Sequence, residues 1–89
     1  MVTFEAFVEV RKHPGIADPE GATIERALPT LGFAGVSGVS VGKAFRLTVE
    51  ADDEAAARAT VEALAERLLA NPVLEEVRVS VTAAQGASA

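Results

Sequence analysis

Residues 2–12 read VTFEAFVEVRK, and their alternation decides what kind of fold to look for. Val2, Phe4, Ala6, Val8 and Val10 fall on one face of an extended chain, and Thr3, Glu5, Glu9 and Arg11 on the other. Side chains of a strand point to opposite faces in turn, so this period of two marks a half-buried strand. Phe7 breaks the pattern by falling on the polar face, and His13-Pro14-Gly15 ends the strand.

Working outward, Asp18-Pro19-Glu20 carries the signals of a helix start. Asp at the N-cap accepts unpaired backbone N–H bonds, Pro is pre-set for the first helical position, and Glu suits the positive end of the dipole. Ile24, Ala27, Leu28 and Leu31 follow at helical spacing and predict one apolar face, with Gly32 as a left-handed cap. Pro29 lies late in this helix and predicts a kink or a tightened last turn. Residues 36–41 read as a short glycine-bearing strand, and Gly42-Lys43 as a tight turn into another over residues 44–51, with Phe45, Leu47, Val49 and Ala51 inward. Asp52-Asp53-Glu54 opens a second helix, whose buried stripe is expected at Ala57, Val61, Leu64, Ala65 and Leu68. Asn71-Pro72 stops it, Asn serving as a left-handed cap and Pro forbidding continuation. Val77, Val79 and Val81 make the last strand.

The order is β-α-β-β-α-β, which right-handed crossovers fold into an α+β domain. The expectation is a ferredoxin-like, four-stranded antiparallel sheet with both helices on one face. It forms a single domain over residues 1–82, with residues 83–89 a disordered tail.

Composition narrows the function classes. A chain of 89 residues buries only about 60–65% of its unfolded surface, so it leans on disulfides, metals or partner subunits. It has no cysteine and one histidine, His13, which excludes a disulfide, a thiolate metal site and a cysteine nucleophile and leaves association with other chains. Eight basic against thirteen acidic residues give a net charge of −5, with the basic ones scattered, which argues against nucleic acid as a partner. No apolar run approaches a membrane span, and the start of the chain reads as strand rather than leader. A cytoplasmic protein without membrane contact is expected.

Catalytic patterns can be tested one by one. Gly38 to Lys43 superficially suggests a phosphate loop, but glycine is missing at Ser37 and a strand, not a helix, is expected to follow. An acylphosphatase-like use of Arg46 lacks the glycine-rich loop after the first strand, and metal carriers of this fold need a cysteine pair in that loop. Phe7 alone on an acidic chain is a poor platform for stacking RNA bases. His13 reads as a loop residue rather than a general base, and Asp52, Asp53 and Glu54 as a helix start rather than a metal site. No catalytic, cofactor or metal residue is expected. The uncovered sheet face reads either as solvated or, through Phe7, as a subunit contact, and sheet edges are a second route to self-association.

Four motifs then bring a family into view. Gly15-Ile16-Ala17-Asp18-Pro19-Glu20-Gly21 resembles the G-V-L-D-P-Q-G stretch that opens the first helix in the PurS family. Ala27-Leu28 with Leu31-Gly32-Phe33, then Val39-Ser40-Val41-Gly42-Lys43 against the family's V-R-x-G-K, follow in register. Residues 68–75, through Asn71-Pro72, resemble its L-L-A-N-P-V-I-E segment. The resemblance spans residues 2–81. Glu20 in place of Gln, Ser40 in place of Arg, and the intruding Pro29 depart from the pattern, and they put in doubt any role of the missing side chains.

The resemblance implies a small non-catalytic subunit of phosphoribosylformylglycinamidine synthase, a ligase of purine biosynthesis driven by ATP and glutamine. Its partners would be itself, as homodimer or tetramer, a glutaminase subunit that releases ammonia, and a large synthetase subunit that uses it. The chain would bridge these and assist ammonia transfer, with ATP and Mg belonging to the synthetase. Residues Phe7, Asp18, Pro19, Gly21, Gly42, Lys43, Asn71 and Pro72 are the candidates for partner contacts or for the backbone that shapes them. The competing expectation is a small-molecule-binding regulatory domain of ferredoxin-like fold.

Overall fold

The computed structural model describes residues 1–84. Strand β1, Val2–Lys12, leads to helix α1, Pro19–Ala27, and then to β2, Lys43–Ala51. Helix α2, Glu54–Leu64, continues as a π-helical turn over Ala65–Leu69, and β3, Glu75–Ala83, closes the order. The strands form one antiparallel sheet in the order β2-β1-β3.

Register explains the core. Val8 lies opposite Phe45 and Val79, Ala6 opposite Leu47 and Val81, and Phe4 opposite Val49 and Ala83. One face of the sheet is therefore continuous hydrocarbon, and α2 lies on it. The helix buries Ala57, Val61 and Ala65 against Phe4, Ala6, Val8 and Val10. Two alanines in that stripe let the helix backbone come close to the strands. The Asp53 side chain starts the helix by accepting the Ala56 N–H at 2.8 Å.

Several expectations are corrected. The sheet has three strands among the described residues, not four, because residues 36–41 form no strand. Their amides have other acceptors: the Asp18 carboxylate takes the Val41 N–H at 2.9 Å and the Glu25 carboxylate takes the Val39 N–H at 3.0 Å. The stretch is thus tied to α1 rather than to β2. Nor do both helices share the sheet face, since the core contains no residue of α1. Gly42 is not a hairpin glycine; it lies where the chain crosses β1, and a Cβ there would sit 2.5 Å from the Val10 carbonyl oxygen.

Helix ends also differ in detail. Helix α1 stops at Ala27, two residues before Pro29, and the Leu28 amide bonds Glu25 three residues back, a tightened last turn. Gly32 is left-handed with φ of 93°, in the turn beyond. Asn71 is not left-handed: among the described residues positive φ falls only on glycine. The Asn71 side-chain oxygen instead accepts the Val73 N–H at 3.0 Å, an Asx turn that reverses the chain into β3. Strand β3 runs to Ala83, and the Ala84 N–H bonds Thr3 at 3.0 Å, so pairing continues past residue 82. Residues 85–89 of the expected tail lie outside the described residues.

The molecule is long for its size. Its radius of gyration is 17.0 Å, against about 12 Å for a compact chain of this length. Helix α1 and residues 28–42 form an arm standing away from the sheet and α2.

Candidate functional site

The arm is built as a unit. Asp18, at the N-cap of α1, accepts the Gly21 N–H at 3.0 Å through one oxygen and the Val41 N–H through the other. These two amides, Gly21 first, hold the Asp18 carboxyl below the usual carboxylate range. Two turns along, Glu25 adds the second tie, to Val39. Gly21 is needed because the returning chain presses on it: a Cβ there would meet the Val39 carbonyl oxygen at 2.5 Å and Asp18 at 2.7 Å. Pro19 sits at the first helical positions.

What the arm does not do is bury its apolar side chains. Ile24 is 44% exposed, Leu31 66%, Phe33 54% and Val36 50%. Helical spacing predicts a buried face through Ile24 and Leu31, and with Phe33 and Val36 they form instead an exposed apolar surface.

A second exposed apolar group lies where α2 returns into β3. Leu68, Val73 and Leu74 are all exposed there. Asn71 and Pro72 shape that turn, and His13 ties it to the end of β1. The His13 ring Nε2 lies 3.1 Å from the Pro72 carbonyl oxygen, and the His13 backbone N–H donates to Leu74 at 2.9 Å. Beside it Arg11 bonds Glu76 at 2.9 Å, which holds the Glu76 carboxyl low and raises Arg11. His13 thus binds two loops together, a part that neighbouring residues in the sequence do not reveal.

The sheet face away from α2 is the third surface. The Arg46 guanidinium carbon lies 5.8 Å from the centre of the Phe7 ring. With Glu5, Thr48, Ser80 and Thr82 they line an open groove of about 480 Å³. Lys43 is exposed at the start of β2.

The structure therefore gathers Asp18, Pro19 and Gly21 at the root of the arm and Asn71 and Pro72 at the far turn, with Phe7 on the open face. Glu25 is the tie within the arm that sequence reasoning missed. Its signal was its position two turns after the capping Asp18, on the same side of the helix. Among the described residues no three of His, Cys, Asp or Glu converge in a way that could hold a metal ion.

Comparison with known proteins gives one consistent answer. The family profile described as PurS, phosphoribosylformylglycinamidine (FGAM) synthase, matches residues 5–83. A phosphoribosylformylglycinamidine synthase subunit PurS of Synechocystis is 38% identical over 85 residues, covering 96% of this chain and 85% of the relative. The crystal structure of PurS from Methanocaldococcus jannaschii, one of the subunits of formylglycinamide ribonucleotide amidotransferase, superposes with a TM-score of 0.82 at 33% identity, over 92% of this chain and 99% of that one. A chain in the PurLQS structure from Thermotoga maritima superposes with a TM-score of 0.85 at 35% identity, over 92% of this chain and all of that one.

Proposed function

The chain belongs to the PurS family of phosphoribosylformylglycinamidine synthase subunits of purine biosynthesis, and we propose that within that enzyme it is the non-catalytic scaffold that docks glutaminase and synthetase together. The observation that carries this reading is the arm: a preorganised element with four large apolar side chains in water and its backbone already tied by Asp18 and Glu25. An element ordered before binding loses little conformational freedom on docking, which is how a small chain gains affinity from a small patch. The exposed Leu68, Val73 and Leu74 supply a second surface, as a bridge between two partners requires. We place the self-contact, as homodimer or tetramer, on the arm and the sheet. The contacts with the other subunits fall on what remains exposed, including the Asn71-Pro72 turn.

The chemical need for a bridge is clear. Ammonia released by a glutaminase is protonated or lost to solvent unless the site that consumes it is docked alongside. In this reading ATP and Mg act on the synthetase, the chain works in the cytoplasm as a single domain, and its own residues position proteins rather than react. No helix among the described residues is long and apolar enough to cross a membrane.

The test is reconstitution. Adding the chain to glutaminase and synthetase should raise synthesis from glutamine while leaving synthesis from added ammonia unchanged. Equal rates from glutamine with and without the chain would reject the scaffold role. The groove at Phe7 and Arg46 favours a second reading, a regulatory site for a small molecule. Thermal-shift screening against amino acids and nucleotides separates the two, because a ligand held by the folded state must raise stability.

A further inference from the structure

Two features of the chain hold Leu68, Val73 and Leu74 in water, and the first lies at the end of α2. An α-helix turns by about 100° per residue, which would point Leu68 into the stripe of Ala57, Val61 and Ala65. The π-helical turn over Ala65–Leu69, closed by the Ala70 N–H on the Ala65 carbonyl at 2.9 Å, widens that spacing. Leu69 therefore packs against the core and Leu68 is turned out, at 74% exposure. Single π turns inside helices are frequent at functional sites. The second feature is the reversal that follows. Its shape is set from within: the Asn71 side chain accepts the Val73 N–H at 3.0 Å, and the Glu75 carboxylate accepts the Asn71 N–H at 2.9 Å. Its position is set by His13, through the backbone N–H on the Leu74 carbonyl and the ring Nε2 at 3.1 Å from the Pro72 carbonyl. Among the described residues no other side chain from outside the turn bonds to it.

We propose that His13 is a positioning residue for docking, a clasp that readies Leu68, Val73 and Leu74 for a partner subunit and tightens when its ring is protonated. This rests on the scaffold reading above and names the residue that prepares one of its surfaces. The self-contact placed on the arm and the sheet leaves this turn to a different subunit. A carbonyl only accepts, so Nε2 carries the ring proton and donates to Pro72. Nδ1 is then a lone pair, 3.8 Å from Glu76 Oε1. That oxygen is the one Arg11 leaves unused, since Arg11 donates to Oε2 at 2.9 Å. Glu76, held low by Arg11, stays charged, so a proton added at Nδ1 faces a carboxylate and the ring grips the turn and β3 at once. The other charged groups at this corner are Lys12 and Glu75, opposite each other in the β1–β3 register. A turn held before docking loses little freedom on docking, whereas a turn freed from His13 must be ordered by the partner.

The test titrates the chain into glutaminase plus synthetase and follows glutamine-dependent synthesis to saturation. Native chain is compared with His13→Leu and with His13→Gln, whose amide keeps a donor for the Pro72 carbonyl. His13→Leu should raise the concentration for half-maximal stimulation about tenfold, the cost of ordering one or two more side chains, with the maximal rate unchanged. His13→Gln should match the native chain at about pH 8 and fall behind it at about pH 6, where the charged ring alone grips Glu76 as well. Equal half-maximal concentrations for native chain and His13→Leu overturn the proposal and leave the scaffold reading standing. So do equal losses in both variants at the higher pH, or a His13→Gln chain that tracks the native at both. A His13→Leu chain that sediments at lower mass than the native also overturns it, because the turn would then hold a second copy. A native chain that gives no stimulation overturns the clasp and the scaffold together.

Discussion

The sheet with α2 and the arm of α1 with residues 28–42 are built on different principles. In the first, stability is hydrophobic: Val8, Val61, Ala57 and Ala65 are fully buried, and β2 and β3 each pair in register with the central β1. In the second, order comes from two carboxylates bonded to backbone amides, and the apolar side chains remain outside. One half buries the centre of its apolar face; the other is ordered without being covered. The difference shows how a short chain without cysteine can hold an apolar surface in place without first collapsing over it.

The contrast can be broken most strongly in the core. Val8→Ala should destabilise the fold by about 2 kcal/mol, a fall of roughly 10 °C in Tm. Leu31→Ala, measured on the diluted monomer, should stay within about 0.5 kcal/mol. Similar losses at both positions would mean that the arm is part of the core after all.

Two glycines sharpen the comparison next. Gly42→Ala places a Cβ 2.5 Å from the Val10 carbonyl oxygen, at the entry to the sheet, and should cost about 1–3 kcal/mol in denaturant melts. Gly21→Ala would ordinarily favour a helix, but its Cβ meets Val39 and Asp18. It should therefore raise amide exchange at Val39 and Val41 while leaving β1 protection in place.

A smaller effect is expected from Asp18→Asn, whose amide presents one acceptor oxygen to two N–H groups. Exchange at Val41 or Gly21 should rise by roughly tenfold, with no change in β1. Slow exchange at both amides in the variant would remove the carboxylate from the account.

Acid should act weakly on both halves. The Asp18 and Glu76 carboxyls are each held low in the folded chain, Asp18 by the Gly21 and Val41 amides and Glu76 by Arg11. Their contributions are therefore fully present above the unfolded carboxylate pKa and are lost as pH falls through the lower folded values, below about pH 4. Amide exchange at Val41 should accelerate there beyond its intrinsic pH dependence, and in Asp18→Asn this extra acceleration should vanish.

Much of the core half was legible in the residues alone. The alternation of residues 2–12 and 44–51, the helix start at Asp52-Asp53-Glu54, and Ala57, Val61 and Ala65 of the expected stripe read correctly, because in them local pattern and burial agree, whereas Leu68 of that stripe is exposed. The arm was legible as a family motif and misleading as structure. Valines at 36, 39 and 41 suggest a strand, yet strand propensity gave way to two side-chain acceptors on the neighbouring helix, an arrangement invisible to periodicity. Ile24 and Leu31 fit a buried face because helical spacing shows that a face exists, not whose core it enters. Asn71 was assigned to the right turn for the wrong reason, its side chain rather than a left-handed backbone making the reversal.

The most direct measurement on the difference between the halves is amide hydrogen exchange in α1 and β1, compared between the native chain and Leu31→Asp. The account predicts that α1 amides from Thr23 to Ala27 stay protected in both proteins, held by the Asp18 and Glu25 ties of the chain itself, while β1 amides exchange alike in both. Loss of α1 protection in the variant, with β1 unchanged, would contradict it, because the arm would then owe its order to a partner rather than to its own chain.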